Sequence, residues 1–232
     1  MLPISLNEET KSRYLAETSR VLRTAGFDVE PQTDGSLSVS FEDKPLCSVP
    51  KPGDIIYRQE NLTTPELEQA KDRAFALVKM VSEYMRAMDQ GTTVKASGLN
   101  DNYKALADFN GTLLAATETR FGVQFVTWDW DFNREGLSHG HYYSSDYEGA
   151  KQDFAIRSHL IDQNRLFTPE QMVTMYQCGE DTLNYGLDMT YEQEQSIKGV
   201  LAQIEDVIPD ELEKARQQNQ TSDITAAHGL SM

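Results

Sequence analysis

Cysteines, long apolar runs and the familiar enzyme fingerprints are what this 232-residue chain has least of. The two cysteines, Cys47 and Cys178, lie far apart and lack the close spacing of a metal knuckle or redox pair. Two buried free thiols are therefore expected rather than a disulfide. No stretch approaches the about eighteen consecutive apolar residues that a membrane span needs, and the opening residues hold no basic segment followed by an apolar core. The expectation is a cytoplasmic protein without membrane association. A Walker phosphate loop, a G-x-G-x-x-G turn, H-E-x-x-H and G-x-S-x-G are all missing, which removes the usual signals of nucleotide, metalloprotease and serine-hydrolase chemistry. Nothing in the sequence asks for a cofactor.

Basic residues are also scarce: 21 Lys and Arg stand against 37 Asp and Glu, a formal charge of −16. Sequence-independent affinity for nucleic acid comes mostly from cations that neutralise phosphates, so direct nucleic-acid binding is disfavoured. The converse is an acidic surface that imitates DNA. At about 0.07 charge per residue, against one per roughly 1.7 Å of duplex axis, most of the acidity reads as a device for solubility. Mimicry would require carboxylates gathered on one face at phosphate-like spacing.

What is present is an ordinary globular composition, 39% apolar and 25% charged, enough for a sizeable core. Residues 8–25 read as a helix from Tyr14, Leu15, Thr18, Val21, Leu22 and Ala25, with Gly26 as the stop. Strands are expected at Phe27 to Glu30, Leu37 to Phe41, Pro45 to Val49 and Ile55 to Gln59, separated by turn compositions. Thr64-Pro65 then caps a long helix ending near Gln90 and Gly91, its face marked by Leu67, Ala70, Ala74, Val78, Val81 and Met85. A second meander follows over Tyr103 to Phe109, Thr112 to Glu118 and Phe121 to Tyr143, turning first at Asn110-Gly111. After it comes a helix with Ser145 and Glu148 as capping box, ending near Asp162. Helices from Thr168 to about Cys178 and from Thr190 close the ordered chain, with Ile197, Leu201, Ile204 and Ile208 on the last one's buried face. The expected fold class is α+β, antiparallel β-meanders each followed by a helix, with a C-terminal helical segment. The segments are 1–91, 92–162, 163–218 and a disordered tail at 219–232. The likeness of F-E-D-K-P-L-C at Phe41 to Cys47 and F-N-G-T-L-L-A at Phe109 to Ala115 raises an internal duplication.

The stretch from Phe125 to Tyr143 holds both tryptophans, two of the four histidines and two alternating aspartates in one hairpin. A three-residue loop closing on Gly136 would set Asn133 opposite Leu137, Asp131 opposite His139 and Asp129 opposite His141, with both Asp–His pairs on one face. Val126, Trp128, Trp130 and Phe132 would then form the core face, with Gly140 opposite Trp130 leaving room for the indole. A two-residue loop would put the aspartates and the histidines on opposite faces. On the first geometry, His139 and His141 offer two imidazoles to a divalent metal with Asp129 or Asp131 as third ligand. They could equally serve as an acid–base pair, since a carboxylate fixes a histidine's tautomer. Against both stands a solvent-facing hairpin whose cross-strand pairs only stabilise the sheet. His159, beside Leu160 and Ile161, reads as a capping or partly buried histidine. Tyr142, Tyr143, Asp146, Tyr147 and Glu148 form a second candidate, an aromatic and acidic contact patch.

The segments F-V-T-W-D-W-D-F at Phe125 to Phe132, G-H-Y at Gly140 to Tyr142, Y-E-G-A-K-Q-D-F-A-I-R-S at Tyr147 to Ser158 and T-Y-E-Q-E at Thr190 to Glu194 carry a resemblance. Across Tyr14 to Pro209 the chain resembles an uncharacterised family of hypothetical proteins carried by integrative conjugative and other mobile elements of gut Firmicutes. That resemblance implies an accessory protein of a bacterial mobile element, linked to maintenance, transfer or evasion of host defence, and brings no catalytic residues with it. The expected function is non-enzymatic: binding of another protein through an acidic, tyrosine-bearing surface. The alternative is a metal-dependent or acid–base hydrolase using Asp129, Asp131, His139 and His141.

Overall fold

A computed structural model describes residues 8–185 and 188–217. Its elements run α1 (Glu8–Thr24), β1 (Asp28–Pro31), β2 (Leu37–Phe41), β3 (Lys44–Val49), α2 (Pro65–Gln90), β4 (Lys104–Phe109), β5 (Thr112–Thr119), β6 (Gly122–Trp130), β7 (Leu137–Ser144), α3 (Tyr147–Arg157), α4 (Pro169–Asn184) and α5 (Tyr191–Val207). Residues 209–217 are helical again after a break at Ile208. The protein is thus α+β, with antiparallel sheets ordered β1-β2-β3 and β4-β5-β6-β7. The chain divides into two compact units, 1–161 and 162–232. Both sheets and α1 to α3 belong to the first; the second contains α4, α5 and helical residues 209–217. The tail expected at 219–232 lies outside the described residues.

One long helix serves both sheets of the first unit. Leu67, Ala70, Ala74 and Val78 of α2 share a buried cluster with Val29, Val39, Leu46 and Val49 of the first sheet. One to three turns later, Val81, Tyr84, Met85 and Met88 pack with Leu114, Val123 and Phe125 of the second sheet and Phe154 of α3. The apolar stripe is continuous, so a single 26-residue helix joins two small sheets that would each be marginal alone. Thr64 caps it as expected, its hydroxyl accepting from the Leu67 amide at 3.4 Å. The rings of Tyr84, Phe125 and Tyr147 meet at centroid distances of 5.0–5.3 Å and tie α2, β6 and α3 together.

A buried carboxylate lies in the same junction. Glu17 accepts hydrogen bonds from Arg20, the Tyr84 hydroxyl and the Val123 amide. Burial alone would raise its pKa, but these donors hold it below the ordinary range. Its place in the helix, three residues after Tyr14 and four before Val21, puts it on the apolar side of α1.

Several expected boundaries move. Ile55 to Gln59 is not a strand: only Ile56 bridges, to Ser48, and residues 59–61 form a 3-10 turn. Asp146, not Ser145, caps α3, accepting from the Gly149 amide, and the helix stops at Arg157 with His159 in the left-handed region just beyond. α4 continues past Cys178 to Asn184. Cys178 is exposed, contrary to the two buried thiols expected, because it faces away from the Tyr176 side of its helix. Cys47 is buried, which pushes its thiol up to about 11.

The two likened segments do make the same turn. Glu42-Asp43 and Asn110-Gly111 each have positive φ at both residues, the mirror-image turn that matches strand twist. Their bulges differ: the extra residue is Leu46 on the second strand of one hairpin and Leu106 on the first strand of the other.

Candidate functional site

The hairpin at the candidate site closes with six residues, 131–136, between Trp130 and Leu137. Asp131 organises this loop. Its carbonyl accepts from the Arg134 amide, its amide donates to Gly136, and its carboxylate accepts from the Glu135 amide at 2.8 Å. Arg134 takes positive φ. The expected three-residue loop with Asp131 opposite His139 is therefore replaced, and Asp131 belongs to the turn instead of the site.

An even loop sets Asp129 opposite Ser138 and would send both histidines to the tryptophan face. A bulge reverses this. His139 and Gly140 together oppose Trp128, with His139 at φ 49°, and the register resumes as Thr127 opposite His141. The cause is the buried indole: a Cβ on Gly140 would lie 2.6 Å from Trp128 Nε1. The tryptophan that needs this glycine is Trp128, whereas Trp130 had been expected. Val126 and Trp128 do form a core face, with Leu113, Ala115, Val94 and Tyr103. Trp130 is only partly buried there, and Phe132 is fully exposed because it sits in the loop.

The opposite face of β6 and β7 meets α3. Asp153 and Arg157, one helical turn apart, project onto it, and the aspartate is the hub. Its carboxylate accepts a hydrogen bond from Thr127 and lies 3.2 Å from His141 Nδ1. Arg157 stands between the two aspartates, with Nη2 2.7 Å from Asp129 Oδ2 and Nη1 3.6 Å from Asp153 Oδ2. The Nη2 contact lacks hydrogen-bond alignment and acts chiefly through charge. Nη1 donates to the Thr127 hydroxyl at 2.8 Å. His139 Nδ1 lies 3.5 Å from Asp129 Oδ2. Burial would raise the Asp153 pKa, but Thr127, then His141 and Arg157, hold it below the ordinary aspartate value. Tyr143, on the same face, is pushed up to about 12 by burial and then by the Asp153 charge.

The structure thus brings together Asp129, His139 and His141, leaves Asp131 out, and adds Thr127, Asp153 and Arg157. Each histidine addresses a different carboxylate, and a guanidinium fills the gap where a cation would sit. Among the described residues no group of three or more His, Cys, Asp and Glu could hold a metal ion. The sequence signal for the added pair is the i, i+4 spacing of Asp153 and Arg157 inside the K-Q-D-F-A-I-R segment.

The tyrosine patch separates as well. Tyr147 is 5% exposed and donates to Glu83 from within the core, Asp146 caps α3, and Glu148 pairs with Lys151 at 2.9 Å. Tyr143 turns toward Asp153. Of the three tyrosines Tyr142 alone faces out, 70% exposed, its ring 6.2 Å from Trp128.

Comparison with known proteins adds no family: no family model, no curated protein and no solved structure matches the chain.

Proposed function

We propose that the chain is a non-enzymatic accessory protein that binds a basic protein partner. The observation that carries this reading is the engagement of both carboxylates of the Asp/His corner by Arg157. Asp129 and Asp153 are both held by Arg157, and the described cavities, of about 520, 430 and 240 Å³, have none of Asp129, His139, His141 or Asp153 in their linings. A catalytic acid or base needs a substrate within hydrogen-bond reach, and carboxylates already engaged by an arginine on a sheet face are poorly placed to serve one. Composition points the same way. Residues 162–232 hold 13 of the 37 acidic residues but only four of the 21 Lys and Arg, a surface suited to attracting cationic partners.

The resemblance to mobile-element proteins would make the partner a host or element protein. The DNA-mimic form is not adopted. Acidic residues on the second sheet and on α1, α2, α3 and α5 are engaged in ion pairs with neighbours, Glu17, Asp89, Asp108, Glu118, Asp129, Glu148 and Glu194 among them, which is unlike a free phosphate array. A second reading, acid–base catalysis, keeps one supporting contact: Asp153 engages His141 Nδ1, leaving Nε2 without a partner among the described residues.

The test is capture of partners from the native host at about 0.05 and 0.5 M salt. A specific partner released by salt supports an acidic-surface interaction, since exposed charge pairs are screened within about 10 Å at 0.1 M. No specific partner, or one indifferent to salt, overturns it.

A further inference from the structure

We infer that the free edge of β7 and the groove beside Tyr142 form a docking site for an extended, basic segment of another protein. β7 is the last strand of its sheet. Beyond its pairing with β6, its one other backbone hydrogen bond among the described residues is the turn bond from the Asp146 amide to the Tyr143 carbonyl. An edge of this kind presents unpaired amides and carbonyls that an extended chain can extend by strand addition. The His139-Gly140 bulge interrupts ladder geometry at one end and a second bulge at Tyr143 at the other, which centres the stretch able to pair on His141 and Tyr142, beside the groove.

A groove of about 430 Å³ lies at this end of the sheet. Tyr103 and Tyr142 supply its aromatic surface, Asp101 and Glu118 its charge, and its lining contains no Lys or Arg. Glu118 is partly offset by Arg13 at 3.3 Å, whereas Asp101 makes no ion pair among the described residues. These groups converge. The Tyr103 phenol is raised first by burial and then by Tyr142 and Asp101 beside it. Aromatic faces with a carboxylate at the rim take a Lys or Arg side chain through cation–π attraction and charge together. A strand added to β7 would place every second side chain on the groove side. A second copy of this chain is the poorer occupant, because pairing two β7 edges would bring two Asp101–Glu118 rims together in a protein of charge −16.

This site rests on the protein-binding reading and makes it specific. The probes are three synthetic decapeptides, one alternating Lys with Val and Thr, one with Glu in place of Lys, and one Lys peptide N-methylated at alternate amides. They are titrated into the full chain and followed by amide chemical shifts. The expected result is binding of the Lys peptide alone, with shifts centred on residues 101–103 and 141–144. Tyr142→Ala and Asp101→Asn should each weaken it by about three- to tenfold. Equal binding of the Lys and Glu peptides, shifts centred elsewhere, or unchanged affinity in both variants overturns the site. So does the absence of Lys-peptide binding, and so does a concentration-dependent dimer mapping to β7. If partner capture from the host remains salt-dependent while the peptides fail, the site is wrong and the protein-binding reading stands; if capture fails too, both fall.

Discussion

Arg157→Met tests whether the Asp/His corner is a structural charge cluster. The arginine side chain is 13% exposed and its neighbour Asp153 16% exposed, so both are largely removed from water. Removing one partner of a buried ion pair costs about 3–5 kcal/mol, because the remaining charge is stranded. Asp129 is more than a third exposed and keeps its water, so its share falls to the about 0.2–1 kcal/mol of a surface pair. The methionine retains the packing of the aliphatic stem. The expected loss is then about 3 kcal/mol, which lowers Tm by about 6–12 °C for a unit of this size. The sign with pH follows from Asp153, whose folded pKa is lowered. The contribution of its ionised form is complete above the ordinary aspartate value of about 3.9 and disappears as pH falls through the lower folded value. Wild type and variant should therefore differ fully at pH 7 and converge below about pH 4. Adding Asp153→Asn to the variant should recover part of the loss. Calorimetry at pH 7 and 3.5 is the assay; a loss under about 1 kcal/mol, or a gap that widens on acidification, would refute the reasoning.

Gly140→Ala should cost about 1–3 kcal/mol by forcing a methyl against the Trp128 indole, read by urea unfolding, with altered tryptophan fluorescence as the local signature. Glu17→Ala should cost about 3 kcal/mol by leaving Arg20 and the Tyr84 hydroxyl without their acceptor. Because Glu17 is held below its ordinary pKa, that difference should be full above about pH 5 and shrink as pH falls further. A thiol reagent should modify Cys178 quickly in the native protein and Cys47 only on unfolding, and mass spectrometry of peptides from a timed reaction distinguishes them.

The fold class was legible because its signals are local and periodic. The α2 stripe, the Asn110-Gly111 turn and the Thr168 and Thr190 caps each act within a few residues, and each appears as read. The site was half legible. Of the two arrangements left open by the sequence, the structure has Asp129 and His141 on one face, yet loop parity is not the feature that decides it. The six-residue loop predicts separation, and the bulge at His139 restores the common face. A bulge is set by what its strand must accommodate across the sheet, here the Trp128 indole, and no neighbouring residue in sequence announces it. Asp153 and Arg157 escaped for a similar reason. Their i, i+4 spacing was visible, but that they land on β6 depends on how α3 packs. Phe132 failed as a core residue because strand alternation was extended two positions into a loop that Asp131 organises.

Two neighbours on β7 separate the central alternatives most directly. His141 turns to Asp153 and the charge cluster, whereas Tyr142 faces outward beside Trp128 and the groove. The measurement is capture of the salt-sensitive partner by wild type, His141→Ala and Tyr142→Ala side by side, with thermal melts confirming that each variant is folded. The expected result is partner retained by His141→Ala and lost or sharply reduced with Tyr142→Ala; the reverse pattern would contradict a binding surface at the β7 edge and return function to the Asp/His corner.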